Sequence, residues 1–186
     1  MNKGVKKRRF CFDNLAFSGN LRTFVKRLIP LLIIVAGLSG CMRSLPPYEE
    51  PLARTRFQTV RTTAYTHFER DHHCYGNRSA LGTPLRYDKQ IHSAAADWSR
   101  WPAGTIFRIQ ETGEVCRVDD YGWALAGRNT IDLYKPTKRE MFRWDMRRVH
   151  IEILHWGDPW VSYGKLKPVR HYRHVKRMMR EIREFY

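Results

Sequence analysis

Acidic residues are scarce in this 186-residue chain: 18 Asp and Glu stand against 34 Lys and Arg, a formal net charge of +16. Proline and glycine are also few, 9 and 12, and are scattered without period, which excludes collagen-like and low-complexity chains. No internal repeat is present. No apolar run reaches the roughly 20 residues that a membrane-spanning helix needs. Cysteine is limited to four. What the chain does have is apolar and aromatic side chains, 42% and 13% of the total, which excludes a largely disordered protein. At 22.2 kDa it has room for one globular domain with additions. A charge of +16 raises nucleic acid as a partner, but the distribution of that charge points elsewhere.

Residues 1–40 read as an export signal. Lys3, Lys6, Lys7, Arg8, Arg9, Arg22, Lys26 and Arg27 face only one acid there, Asp13, and the apolar stretch from Leu28 to Gly37 follows. That stretch is too short to span a bilayer and suits a signal core. It ends in Leu38-Ser39-Gly40-Cys41, which resembles a bacterial lipobox, with Cys41 as the lipidation site. The competing reading is a plain secretory signal or short anchor with a chance cysteine. Met42 rather than Asp after Cys41 favours the outer membrane, facing the periplasm, in a Gram-negative host. Without residues 1–40 the chain keeps 26 Lys/Arg and 17 Asp/Glu, a net charge of +9. An exported lipoprotein does not meet chromosomal DNA, so no nucleic acid is expected. The polyanions within reach are wall-peptide carboxylates, lipopolysaccharide and anionic lipid.

Cys74 and Cys116 are then the remaining pair, and an oxidising compartment favours a disulfide between them. The alternative is a metal site using His67, His72, His73 and Cys74. Adjacent ligands without a second spaced pair make a weak zinc pattern, and neither metal nor cofactor is expected.

Residues 41–57, with Pro46, Pro47 and Pro51 and no apolar period, read as a lipidated tether. From 58 to 156 the pattern is that of strands. Val60 to Thr66 has strand composition, and residues 67–84 form a long polar loop. Thr105–Gln110 and Val115–Asp120 are joined by Glu111-Thr112-Gly113-Glu114 as a hairpin. Strict alternation puts Cys116, Val118 and Asp120 on one face. Asn129 to Tyr134 is a further strand. Thr137 and Glu140 form a capping box that starts a short helix to about Met146, and Val149, Ile151 and Ile153 mark a closing strand. Residues 157–186 are a basic extension. From Val169, Tyr172, Val175, Met179, Ile182 and Tyr186 recur at helical spacing among arginines. That helix either docks on the domain with a solvated basic face, or it contacts anionic lipid or wall polymer.

The stretch Asp120-Tyr121-Gly122-Trp123-Ala124-Leu125-Ala126-Gly127-Arg128-Asn129-Thr130-Ile131-Asp132-Leu133-Tyr134 resembles the signature of the three-aspartate domain. Three further segments resemble that family's other motifs, in the same order. They are Thr63-Ala64-Tyr65-Thr66, then Ser79-Ala80-Leu81-Gly82-Thr83-Pro84-Leu85, then Ala95-Ala96-Asp97 with Trp101-Pro102-Ala103-Gly104-Thr105. Together they cover roughly half the chain. The resemblance implies a mainly β fold, a six-stranded double-psi β-barrel, with the short internal helix and the C-terminal basic helix as additions. It is similar to the catalytic barrel of membrane-bound lytic transglycosylase A and to rare lipoprotein A, and so implies a monomeric lipoprotein that cleaves peptidoglycan glycan strands.

The namesake aspartates correspond to Asp97, Asp120 and Asp132. The resemblance assigns the catalytic acid to Asp132, with Asp120 holding its position and pKa and Asp97 as a structural loop residue. The chemistry agrees. Glycosidic cleavage needs a carboxylic acid that stays protonated near neutral pH, and a second carboxylate or burial supplies the shift. In a lytic transglycosylase the 6-hydroxyl of muramic acid is the nucleophile, so one carboxyl acts as acid and then as base. Thr63, Tyr65, Thr83 and Trp123 are candidate sugar-binding residues. Purely structural roles for Asp120 and Asp132, satisfying backbone N–H groups in buried turns, remain open. So does a non-catalytic lipoprotein that tethers membrane to wall. Three departures from the pattern bear on activity. Trp123 replaces a glycine, Tyr121 replaces a threonine, and one extra residue between Gly127 and Asp132 would introduce a bulge.

Overall fold

The computed structural model describes residues 44–69, 72 and 75–186. Residues 1–40, read above as an export signal, and Cys41 and Cys74 lie outside these. Ser44–Tyr186 forms a compact unit. It is mainly β, and its six strands close into a barrel: β1 (Phe57–Tyr65), β2 (His92–Ala95), β3 (Ile106–Ile109), β4 (Val115–Asp120), β5 (Thr130–Tyr134) and β6 (Arg147–His155), in the order β1-β5-β2-β4-β3-β6. The pairs β1–β5 and β2–β4 are parallel, and the other four are antiparallel. Parallel neighbours need long crossovers, and residues 66–129 separate β1 from β5 while residues 96–114 separate β2 from β4.

The interior is filled from every strand. Val60, Ala94, Phe107, Ile109, Cys116, Val118, Ile131, Leu133, Val149, Ile151 and Ile153 are buried in one core with Trp98 and Trp101. Each such large side chain contributes about 1.5–3 kcal/mol by leaving water. The buried indole N–H groups are all partnered: Trp98 to the Asp120 carbonyl at 2.9 Å, Trp101 to Gln58 at 2.9 Å and Trp144 to Thr62 at 3.1 Å. Cys116 belongs to this interior. It is a free thiol whose pKa burial pushes up to about 12. The disulfide expected from the cysteine count is therefore not found among the described residues, because β4 directs Cys116 into the barrel's apolar interior.

Helix α1 (Lys138–Trp144) starts at Thr137, whose hydroxyl accepts from the Glu140 N–H. Helix α2 (Pro159–Leu166) opens with Asp158 accepting from the N–H groups of Trp160 and Val161 and with Pro159 in its first turn. A 3-10 turn, Lys167–Val169, separates it from α3 (Arg173–Phe185), so the last helix begins four residues later than its apolar spacing implied. Helix α3 buries Val175, Met178, Met179 and Ile182 against the barrel core and leaves Arg173, Lys176, Arg180 and Arg183 in solvent. Among the described residues no helix is long and apolar enough to cross a membrane.

The segment read as a tether is in part a strap on the barrel. The Glu49 carboxylate accepts from the Asn129 N–H at 2.7 Å and from Arg61 at 2.6 Å, and Arg177 of α3 donates to the Pro46 carbonyl at 2.9 Å.

Candidate functional site

Ala95, the last residue of β2, is the reference point of the site. On one side it pairs with Asp132 of β5, and on the other with Asp120 of β4. Two strand spacings put the two aspartate Cα atoms roughly 9.6 Å apart. Both face outward from the barrel. On β5, Ile131 and Leu133 point into the core, so Asp132 points away from it.

On β4 the pairing slips. Ala94 faces Val118 but Ala95 faces Asp120, leaving Asp119 as an extra residue. This bulge corrects the strict alternation expected for the strand. Cys116 and Val118 point inward, whereas Asp119 and Asp120 both take partners on the outer side, Ser93 at 2.6 Å and Tyr65 at 3.2 Å. The bulge expected between Gly127 and Asp132 is absent. The β1–β5 register runs without a slip from Arg61↔Thr130 to Tyr65↔Tyr134. The extra residue is taken up in the 121–129 loop, where Gly127 adopts φ +77°.

Asp120 is 6% exposed. Its Oδ1 accepts from the Ala80 N–H at 3.1 Å and the Tyr121 N–H at 2.9 Å, and its Oδ2 from the Tyr65 hydroxyl at 3.2 Å. Burial pushes its pKa above the ordinary carboxylate range, against the pull of those donors and of neighbouring His72. Tyr65 lies well above the ordinary phenol range, first through burial and then through the charges of Asp120, Asp119 and Asp132, so it remains a hydrogen-bond donor. Asp119 is pushed up to about 6, chiefly by burial. Asp132 is half-buried, and its Oδ1 accepts from the Thr63 hydroxyl at 2.8 Å. The two carboxyl groups thus differ in kind. Asp120 is enclosed and held by three donors, while Asp132 opens to solvent beside it.

The solvent that Asp132 meets fills a groove of about 670 Å³. Its floor is Tyr65, Ala95, Asp120 and Asp132. One wall comes from the segment after β1, with Glu69, His72, Tyr75 and Arg78. The other comes from Tyr121, Gly122 and Trp123 together with Lys165, Tyr172 and His174 of the C-terminal extension. Of the residues singled out in the sequence, Tyr65, Trp123, Asp120 and Asp132 line this groove. Thr63 stands behind Asp132 as its donor. Thr83 does not reach the groove. Its hydroxyl is 3.0 Å from that of Ser79, and it lines a separate cavity of about 20 Å³ beside Asp119.

Asp97 is fully buried. Its Oδ1 accepts from the N–H and hydroxyl of Ser99, and its Oδ2 accepts from the Gly127 N–H, so it clamps two loops together behind the site. Of the other lining residues, His72 belongs to the weak zinc pattern and Tyr121 to the aspartate signature, whereas Tyr75, Tyr172 and His174 carry no sequence signal for a site. His67 of the weak zinc pattern shares a hydrogen bond with the Tyr134 hydroxyl at 2.8 Å. Among the described residues no group of three or more His, Cys, Asp or Glu is placed to hold a metal ion.

No protein-family model matches the chain, and no curated protein matches it.

Proposed function

We propose that this chain is an exported lipoprotein that cleaves peptidoglycan glycan strands as a lytic transglycosylase, with Asp132 as its single acid and base. The observation that carries this reading is the pair Asp120 and Asp132 flanking Ala95 on the floor of an aromatic-lined groove. We read the barrel as a double-psi barrel and the chain as a three-aspartate domain. Two parallel pairings within a closed six-stranded barrel support that reading, as does the convergence of motif residues at one groove. In the proposed reaction, protonated Asp132 gives its proton to the oxygen between MurNAc and GlcNAc as the bond to the MurNAc anomeric carbon breaks. The resulting carboxylate then takes the proton of the MurNAc 6-hydroxyl, whose oxygen closes onto that carbon to give the 1,6-anhydro end. Asp120 with Tyr65 sets the electrostatics beside Asp132, and Thr63 fixes its orientation.

In this reading Cys41 carries the lipid that holds the domain at the outer membrane of a Gram-negative host. The arginines of α3 that face solvent provide contact with anionic lipid or wall. A second reading is favoured by the three donors already spent on Asp120: a barrel that grips glycan without cutting it and ties membrane to wall.

Purified full-length protein in detergent, incubated with purified sacculi, separates the two. Anhydromuramyl ends detected by mass spectrometry with wild type and lost in Asp132→Asn are the expected result. Reducing ends instead would make the enzyme a hydrolase. Cosedimentation with sacculi and no soluble product would leave the binding module.

A further inference from the structure

The groove wall formed by the C-terminal extension is a continuous series of rings. Buried Trp98 meets Tyr121 edge-on at 4.9 Å, and Tyr121 lies 5.9 Å from the His174 ring. His174 stacks on Tyr172 at 5.6 Å with 28° between planes, and Tyr172 lies 4.0 Å from His171. The series therefore begins at a buried ring of the groove lining, after β2, and ends in solvent, passing through the loop after β4 to the turn before α3. Docking of α3 does not require it, because Val175, Met178, Met179 and Ile182 perform that docking. Tyr172 stays 47% exposed, more than a ring kept for packing would be. Two cations, Lys165 and Arg78, line the same groove as the carboxylates of Asp120 and Asp132.

We propose that Tyr121, Tyr172, His174 and Lys165 form a saccharide subsite that takes a glycan bearing carboxylate substituents. The ring faces of Tyr121 and Tyr172 stack on sugar faces, the imidazole of His174 bonds ring hydroxyls, and Lys165 pairs with a substituent carboxylate outside the reacting centre. The cations lining the groove favour a strand whose sugars carry anionic groups on their outer edge over a neutral polymer. The subsite rests on the reading of the groove as a glycan-cleaving site.

The test measures binding by intrinsic fluorescence with full-length protein carrying Asp132→Asn, so that turnover does not consume the probe. The two probes are chitohexaose, which is neutral, and peptide-free MurNAc–GlcNAc strands, whose lactyl groups are carboxylates. Adding Tyr172→Ala is expected to weaken both probes about tenfold, and Tyr172→Phe to leave both unchanged. Adding Lys165→Met is expected to weaken the MurNAc strand alone. Unchanged affinities with Tyr172→Ala, at an unchanged melting temperature, would overturn the subsite. Equal losses for both probes with Lys165→Met would overturn its preference for carboxylates. An Asp132→Asn protein that still cuts sacculi, while Tyr172→Ala loses binding, would overturn the acid assignment and support the subsite. Failure of the Asp132→Asn protein to bind either probe would overturn the groove reading and the subsite together.

Discussion

Thr63 and Asp132 are joined twice: they face each other in the parallel register of β1 and β5, and the Thr63 hydroxyl donates to Asp132 Oδ1 at 2.8 Å. A carboxyl group so held on one oxygen has its other oxygen directed by the strand rather than by chance rotation. Thr63→Val keeps the shape and removes the donor. It is expected to cost about 1 kcal/mol of stability and, under the proposed function, to slow release of soluble wall fragments about tenfold, with Thr63→Ser restoring most of the rate. Thermal melts and turbidity loss of sacculi measure the two effects. A Thr63→Val protein that clears sacculi at the wild-type rate would remove Thr63 from the site.

Asp119 makes stability depend on pH in an unusual direction for a carboxylate. Folding raises its pKa from the ordinary 3.8 to about 6, so over that interval the folded chain holds a proton that the unfolded chain has released. The contribution is complete below about pH 4 and is lost as pH rises through 6, an effect on the order of 2–3 kcal/mol. Asp97, Asp120 and Glu181 are shifted in the same direction. Asp119→Asn is therefore expected to flatten, without abolishing, the fall in urea-unfolding free energy between pH 4 and 6.5. Glu49 works the other way. Although burial opposes it, the Asn129 N–H and the Arg61 guanidinium hold its carboxyl below the ordinary range, so its contribution is lost as pH falls below about 4.5. Above about pH 4.5 only the Asp119 effect of the two operates, and an Asp119→Asn slope equal to wild type there would contradict the assignment.

Gly157, between β6 and α2, has no room for a side chain. A Cβ there would stand 2.3 Å from the Ala103 carbonyl oxygen, 2.6 Å from that of Pro102 and 2.8 Å from the Thr105 nitrogen, all backbone atoms. Its N–H is also held by the Thr105 hydroxyl at 3.0 Å. Gly157→Ala must push the 102–105 turn aside, at a cost of about 3 kcal/mol, and loosen the C-terminal extension from the barrel. Faster tryptic cleavage at the arginines of α3, beside a lowered unfolding midpoint, is the expected signature. Unchanged proteolysis would mean that the extension is held independently of this contact.

The strands rich in β-branched residues were readable because burial imposes period two on them. Phe57–Tyr65 and Arg147–His155 show it, and Val115–Asp120 shows it only as far as Val118. His92–Ala95 was not readable as a strand, since His, Ser and two alanines carry little strand preference. Its place in the barrel comes from the pairings with β4 and β5. The aspartates and Tyr65 were visible as motif residues. The opposite wall was not, because Tyr172 and His174 look like ordinary members of a basic helical segment until the chain has folded back over the loop that follows β4. The cysteine count likewise favoured a bridge, and only the direction of Cys116 into the apolar interior tells against it.

The slip in β4 makes the site a matter of counting. Pairing of Ala94 with Val118 and of Ala95 with Asp120 skips one residue, and that skip turns Asp120 from the apolar interior toward the groove. No change of side chain can reproduce it. A regular strand of the same length, without the skip, would drive Asp120 into the barrel among Val118 and Leu133, whereas deleting Asp119 would remove the extra residue and leave Asp120 outward, opposite Ala95. Replacing Asp119 by alanine would leave Asp120 where it stands. The length of this strand, read as an integer, therefore carries information about the site that the identities of its residues do not.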